Sequence, residues 1–584
     1  MKHIGFFVSL IIVASLLAAC ATPTPEIIEK EVEKVVTQIV KETVKETVIV
    51  EGTPQIVEKE VTKVVEKVEV VTATPVPKEP VILRTAGPAD DLLSLDPHFA
   101  TTTQDRNVSD MVFNGLVRYV PGKAPEMEPD LAEALPEPEI VDGKQVWTFH
   151  LRRGVMCHPT DEVPSYELTA EDVVYSLQKS ANPDRSAYAG TYDGMTFEAV
   201  DDYTVRITLD VPVSEVLFFP AVADYSGGFI VCKKSIEAMG DEAFKSHPVG
   251  TGPFMFESYS PQEKITLKAN EAYFRGRPLL DGVEYRYMSD FNSRELALLA
   301  GELDFSAGSS EEEWIERIEG EGFRVDVFGP GEAGAIHFNT TVEPLNNLEV
   351  RKALAYATDR EAMVALYGSA VARPIYSFVP YPDLAGGMSR AEVESLGLVY
   401  DLDLEKARQM LADAGYPDGF SLEVVTTPMS GYIDQIEALQ AQWAEVGVDV
   451  TINVVDHSTF HSMIREDVNP FVIYICWRPN ADVFLTRFFL SDSIVVTGAK
   501  PDTNFSHYDQ IDDLIEAARK EINPDKQIEL WKQAQIKILE DMVAYPLRIG
   551  GQIFARDPAV DYGHEMIGSF ALYPQITENT RIVR

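Results

Sequence analysis

Three short stretches gather the side chains best suited to holding a small molecule: Thr426-Thr427-Pro428-Met429-Ser430-Gly431-Tyr432, Asp456-His457-Ser458-Thr459 and Trp477-Arg478-Pro479-Asn480-Ala481-Asp482. The first and third combine an aromatic ring with polar groups and with glycine or proline. That mixture suits a largely preformed pocket, where a ring stacks on a flat or extended ligand and a few polar groups orient it. Thr427, Met429, Ser430, Tyr432, Trp477, Asn480 and Asp482 are therefore the candidate ligand-binding residues. The competing reading is that Tyr432 and Trp477 pack between lobes. His457 and His461 have the i, i+4 spacing that brings two imidazoles to one helix face and could hold a metal. A solvent-facing pair is preferred, and no metal site is assigned. His564-Glu565 lacks the second histidine of a zinc protease motif, and no Gly-x-Ser-x-Gly elbow occurs. A glycosidase using two carboxylates is the surviving enzymatic alternative. No catalytic residue is assigned and no cofactor is expected.

Periodicity gives the elements that must position these loops. Asp403 can cap a helix whose apolar face includes Ala407, Met410, Leu411 and Ala414, and Gly415 with Pro417 ends it. Phe420, Leu422 and Val424 then alternate as in a strand. Ile436, Leu439, Trp443 and Val446 recur at helical spacing up to Gly447, after which Val448, Val450, Ile452 and Val454 alternate with period two. Phe471 to Cys476 is continuously apolar, as a strand buried on both faces would be. This order predicts an open α/β sheet, whose ligands sit outside the carboxyl ends of the strands, where the three loops fall.

The chain has 584 residues, more than one hydrophobic core supports, so two or three lobes are expected. Asp plus Glu outnumber Lys plus Arg by 93 to 50, and the formal charge of -43 argues against nucleic acid or an anionic lipid surface as partner. An apolar run from Ile4 to Leu17 follows Lys2 and closes on Leu17-Ala18-Ala19-Cys20. It is short for a membrane span and reads as a secretory signal. It resembles the lipobox of bacterial lipoproteins, which would make residues 1–19 the signal and Cys20 the lipid-bearing first mature residue; an ordinary cleaved signal is the alternative. Cys157, Cys232 and Cys476 then allow at most one intramolecular disulfide, and no CxxC pair suggests a zinc ribbon. No later segment is long and apolar enough to cross a membrane.

Residues 20–79 are dominated by Glu, Lys, Val and Thr, without an aromatic ring, and Glu29-Lys30-Glu31-Val32-Glu33-Lys34-Val35-Val36 returns as Glu58-Lys59-Glu60-Val61-Thr62-Lys63-Val64-Val65. Val32, Val36 and Ile39 have the spacing of a coiled-coil seam, but Gly52 and Pro54 interrupt it. An extended or partly helical stalk is expected rather than an oligomerisation module.

From about Val81 to the end, a series of motifs in fixed order resembles the extracytoplasmic solute-binding proteins of peptide-type ABC importers, the dipeptide and oligopeptide-binding family. The series begins with Leu95-Asp96-Pro97, Val112-Phe113-Asn114-Gly115-Leu116-Val117-Arg118-Tyr119, Pro129-Asp130-Leu131-Ala132-Glu133 and Trp147-Thr148-Phe149-His150-Leu151-Arg152. It continues through Leu168-Thr169-Ala170-Glu171-Asp172-Val173, Pro248-Val249-Gly250-Thr251-Gly252-Pro253-Phe254, Ile336-His337-Phe338-Asn339-Thr340, Val350-Arg351-Lys352-Ala353-Leu354 and Ala414-Gly415-Tyr416-Pro417. Thr169 with Asp172 and Asn346 with Glu349 read as helix caps, and Gly250 to Pro253 as a tight turn rather than a phosphate cradle, since no Gly-Lys-Ser/Thr follows.

The resemblance implies a two-lobed periplasmic-binding-protein fold of the α/β class, class II-like with an extra subdomain. One lobe would comprise residues 80–330 plus 545–584, with the subdomain at about 119–245, and the other residues 331–544. Crossovers would fall near Gly329 to Ile336 and near Asp541 to Leu547. It also implies a monomer, lipid-anchored on the extracytoplasmic face, that delivers a peptide or oligopeptide to a permease and its ATPase subunits by closing around it. Dipeptide binders of the family carry an arginine in the first loop and an aspartate after the tryptophan. Here Met429 and Ser430 stand in the first, and Arg478, Pro479 and Asn480 follow Trp477, with Asp482 the nearest acid. An oligosaccharide or metal chelate in the same role is the alternative, and a secreted surface hydrolase or adhesin the remote one.

Overall fold

Valine, isoleucine and threonine crowd a helix and fit a pleated strand, and the repeat before residue 79 follows that preference. The computed structural model describes residues 31–50, 52–72, 79–89, 91–92, 94–100 and 103–583. Within it, Glu31–Val50 and Thr53–Thr72 pair antiparallel along their whole length, from Glu31 opposite Thr72 to Val50 opposite Thr53. Gly52, at φ 84°, makes the turn. The helical spacing of Val32, Val36 and Ile39 is not used, and the expected extended or partly helical stalk is a β-hairpin. Exposed pairs, Lys45 to Glu58 at 3.0 Å and Lys41 to Glu60 at 3.4 Å, match the register more than they stabilise it. The signal segment and Cys20 lie outside the described residues.

Residues 80–584 form a separate unit with two lobes. The first is built on a seven-stranded sheet, in the order Phe254–Ser260, Lys264–Ala269, Gly282–Tyr287, Ile82–Gly87, Phe305–Ala307, Gln552–Arg556, Arg324–Phe328. Its middle strand Ile82–Gly87 runs parallel to both neighbours. A four-stranded sheet from Glu139–Val141, Lys144–His150, Met195–Asp201 and Thr204–Leu209 carries the helix Ala170–Ser180 and makes a smaller subdomain. Thr169 and Asp172 form the reciprocal capping box of that helix, with Thr169 N donating to Asp172 Oδ2 at 3.0 Å. A disulfide joins Cys157 to Cys232, 75 residues apart, and leaves Cys476 as a free, buried thiol.

The second lobe is centred on an antiparallel sheet in the order Ala372–Pro374, Ala544–Gly550, Ala333–Phe338, Phe471–Cys476. Every residue of Ala333–Phe338 and of Phe471–Cys476 is buried, as their apolar runs require. Phe471–Cys476 does not join the other two strands in one open sheet. Phe420–Thr426 and Val448–Val454 form their own parallel pair, tied to the larger sheet where the Asn469 side chain bonds both the N–H and the carbonyl of Val425 at 2.9 Å. Asp403 caps Leu404–Asp413 as expected, whereas Asn347, not Asn346, caps Leu348–Tyr356.

The chain passes between lobes twice, from Phe328 to Ala333 and from Gly550 to Gln552. The second passage lies later than the expected Asp541 to Leu547, so residues 545–550 belong to the second lobe's sheet. The reason is continuity of burial: Ala544 to Ile549 are all buried, and the strand runs on to Gly550. The two passages touch. A Cβ on Gly331 would fall 2.0 Å from the Gly550 carbonyl oxygen, and Gly550 N donates to Glu332 O at 3.2 Å.

Candidate functional site

A cavity of about 790 Å³ lies between the lobes. The helix Thr103–Val112 brings Arg106 to it from the first lobe, with Tyr225 beside it, and the subdomain adds Tyr188 and Tyr192. From the second lobe, the segment leaving Phe471–Cys476 contributes Arg478, Asn480 and Asp482, and the helices Ala481–Phe489 and Asp512–Lys520 contribute Arg487 and Arg519. Four guanidinium groups and one carboxylate thus line a pocket also walled by three tyrosines.

The third predicted loop supplies this site. Asn480 uses its carbonyl oxygen as the cap of Ala481–Phe489, accepting from Val483 N at 2.9 Å, so its amide nitrogen is what it can offer a ligand. Asp482 accepts from Arg519 Nε at 2.9 Å. Burial pushes its carboxyl above the usual range, and Arg519 pulls it back. Next to Arg478, Trp477 is buried and does not itself line the cavity. Its ring lies 5.3 Å from that of Phe570 and 6.1 Å from that of Phe484, and its Nε1 is buried with no partner.

The first loop sits elsewhere. Thr427 is buried and Met429 is 52% exposed, and Ser430 opens the helix Ser430–Ala444 with a side chain outside the described set. Tyr432 is buried against Phe460 at 5.3 Å and His457 at 5.8 Å, with its hydroxyl 3.5 Å from the Ile475 carbonyl. Thr427, Met429 and Tyr432 do not line the 790 Å³ cavity. His457 and His461 do lie on one helix, His457–Arg465, with their Nε2 atoms 3.2 Å apart. Burial, His457 and Arg465 together push His461 down to about 4. Among the described residues no group of three or more His, Cys, Asp or Glu is arranged around a metal position.

Arg106, Tyr188 and Tyr225 escaped the sequence reading because nothing in Thr103-Gln104-Asp105-Arg106 distinguishes a cavity wall from a solvated helix start. Glu332 and Arg548 were also missed. They sit at the hinge, where a second cavity of about 430 Å³ is bounded by Glu332, Gly551, Tyr285 and Tyr573. Arg548 is 3% exposed, with its guanidinium carbon 3.2 Å from the Tyr367 ring centroid. Burial pushes Glu332 upward against the pull of Arg548 and Arg478.

Two lobes are thus joined by two strand passages, with a cavity between them lined by charged, aromatic and apolar side chains. Residues 126–495 match the family described as bacterial extracellular solute-binding proteins, family 5. The chain belongs to that family. It is 30% identical over 467 residues to heme-binding protein A of Haemophilus influenzae, covering 73% of this chain and 80% of the relative. The dipeptide-binding protein of Escherichia coli K12 is 29% identical over 473 residues, covering 74% and 83%. Among solved structures, the binding protein MoaA of A. tumefaciens R10, in complex with mannopinic acid, superposes with a TM-score of 0.70 at 38% identity, covering 86% of this chain and all of that one. The fold is the bilobed α/β architecture of class II binding proteins. Membership places the chain among binding proteins rather than enzymes.

Proposed function

We propose that this chain is the substrate-binding component of an ABC importer, which captures a peptide or peptide-like solute outside the membrane and presents it to a permease. The observation that carries the reading is the inter-lobe cavity, walled by tyrosines and an arginine from the first lobe and by polar and charged side chains from the second, beside two touching glycine-containing passages. Its volume suits a ligand of several residues' bulk. The relatives' names support the class of solute: one binds dipeptides, and a solved relative holds mannopinic acid. The Cys157–Cys232 disulfide supports an oxidising, extracytoplasmic location, since such bonds persist there. Anchoring through an acylated Cys20, with the hairpin Glu31–Thr72 as spacer, completes the reading.

Trp477, Asn480 and Asp482 belong to this proposed site, with Arg106, Arg478 and Tyr225 added. Thr427, Met429, Ser430 and Tyr432 are proposed as its outer edge, reached by the far end of an extended ligand. Mass spectrometry of solutes released from the purified chain by denaturation tests the reading, with small-angle scattering on adding back what is found. A retained solute that reduces the radius of gyration supports it. Turnover of the solute, or no change in radius with any bound solute, would overturn it.

A further inference from the structure

We propose that the solute carries a carboxylate, and that this group docks between Arg106 of the first lobe and Arg478 of the second. The inference rests on the solute-capture reading and narrows its ligand class. The chain as a whole carries a formal charge of -43, yet four of the five charged side chains lining the 790 Å³ cavity are arginines. Two of those four are neutralised. Arg519 Nε meets Asp482 at 2.9 Å, and Arg487 Nε lies 3.4 Å from Asp502.

Among the described residues, the structure records no carboxylate at ion-pair distance from the other two. Arg106 donates from Nη1 to the Tyr225 hydroxyl at 2.5 Å and from Nη2 to Thr103 Oγ1 at 3.4 Å. Arg478 donates from Nη1 to the carbonyl of Trp477 at 2.8 Å, with its guanidinium over the Phe488 ring at 5.5 Å. In both, Nε is buried without an acceptor. Asp110, one helical turn beyond Arg106, and Glu332, near Arg478, act on them only at longer range. A guanidinium partly withdrawn from water without an anion is costly to keep, and each fork retains N–H groups that a planar carboxylate can take. Because the two arginines come from different lobes, an anion between them draws the lobes together against the repulsion of their like charges. Closure and charge recognition become one event. Among the described residues lining the cavity Asp482 is the one acid, and it already serves Arg519 rather than the amine end of a peptide.

The test uses the full chain, stripped of retained solutes by unfolding and refolding, in titration calorimetry against matched pairs. One arm is tripeptides with a free C-terminal carboxylate beside their carboxamides, and free amines beside N-acetyl forms. The other is maltobionate beside maltose, which separates a peptide source of the carboxylate from a sugar-acid source. The expected result is that the acid member of one arm binds about ten- to a hundredfold tighter than its neutral partner. That preference should collapse to parity in Arg106→Gln and in Arg478→Gln, with melting temperatures of both variants close to the parent's, while Arg478→Asp should shift preference toward free amines. Equal or tighter binding of the neutral member, or an acid preference that survives both substitutions, would overturn the inference while leaving solute capture standing. No saturable binding of any member, acid or neutral, would overturn the capture reading itself and the inference with it.

Discussion

The ring of Trp477 lies 5.3 Å from that of Phe570, so the end of a second-lobe strand rests on the C-terminal segment of the first lobe. Phe570 in turn packs edge-on to Tyr119 at 5.1 Å. Trp477→Ala should therefore do two things, lowering stability by about 3 kcal/mol through lost packing and enlarging the radius of gyration by releasing the lobes. Trp477→Phe should keep most of both. Denaturant unfolding and small-angle scattering read the two effects separately, and a variant unchanged in either would show the contact to be idle.

Lys179 Nζ stands 2.7 Å from Asp96 Oδ2, and both side chains have zero exposure. Breaking such a pair strands a charge in the core. Lys179→Met alone should cost about 3–5 kcal/mol, and Asp96→Leu alone a similar amount, while the double substitution should cost less than either. A double-mutant cycle by urea denaturation checks this; simple additivity would show that the two charges do not depend on each other.

Buried histidines, His158 and His337 among them, set an acid limit on stability. Burial pushes His158 down to about 4 and His337 down to about 3. His337 lies among Phe378, Phe488, Phe489 and Phe505. In the unfolded chain each takes a proton below about pH 6.5, but in the folded chain neither does until far lower. The unfolded state thus binds more protons from pH 6.5 down to about 4, and stability falls as pH falls through that window. Each histidine contributes a slope of about 1.4 kcal/mol per pH unit. His337→Phe should flatten the pH dependence of unfolding by one such slope; an unchanged profile would show that His337 is protonated in the fold.

Reduction of Cys157–Cys232 releases a cross-link between residues 75 apart. The chain-entropy account gives about 4 kcal/mol for a loop of that length. The Cys157→Ser, Cys232→Ser double variant should therefore lose about 2–4 kcal/mol in denaturant unfolding while keeping its ligand affinity, because neither cysteine lines the inter-lobe cavity. A fall in affinity at equal occupancy of the folded state would show that the cross-link itself holds the shape of the site.

Much of this architecture was legible in the sequence because its signals are local. The capping box at Thr169 and Asp172, the cap at Asp403, and the strand-helix-strand unit from Phe420 to Val454 all reappear. What pairs with what is not local. Phe471–Cys476 was recognisable as a buried strand, but its partner Ala333–Phe338 lies more than a hundred residues away, and no periodicity announces it. The stalk, expected extended or partly helical, is extended but paired into a hairpin: valines at helical spacing also occur in any valine-rich strand, and β-branching favours the latter. Of the cavity's lining, Asn480 and Asp482 could be seen from their loop, whereas Trp477 of the same loop packs against Phe484 and Phe570 instead and Arg106 reaches the cavity only through folding of the whole chain.

Cys476 is 7% exposed, and burial pushes its thiol up to about 12. Thiolate, not thiol, is the species that alkylating reagents attack, so near neutral pH maleimides should pass this residue by. With the other two cysteines of the body joined to each other, a fluorophore attached through one introduced surface cysteine on each lobe would label residues 80–584 without a silenced background. Opening and closing could then be followed in single molecules of an otherwise native body.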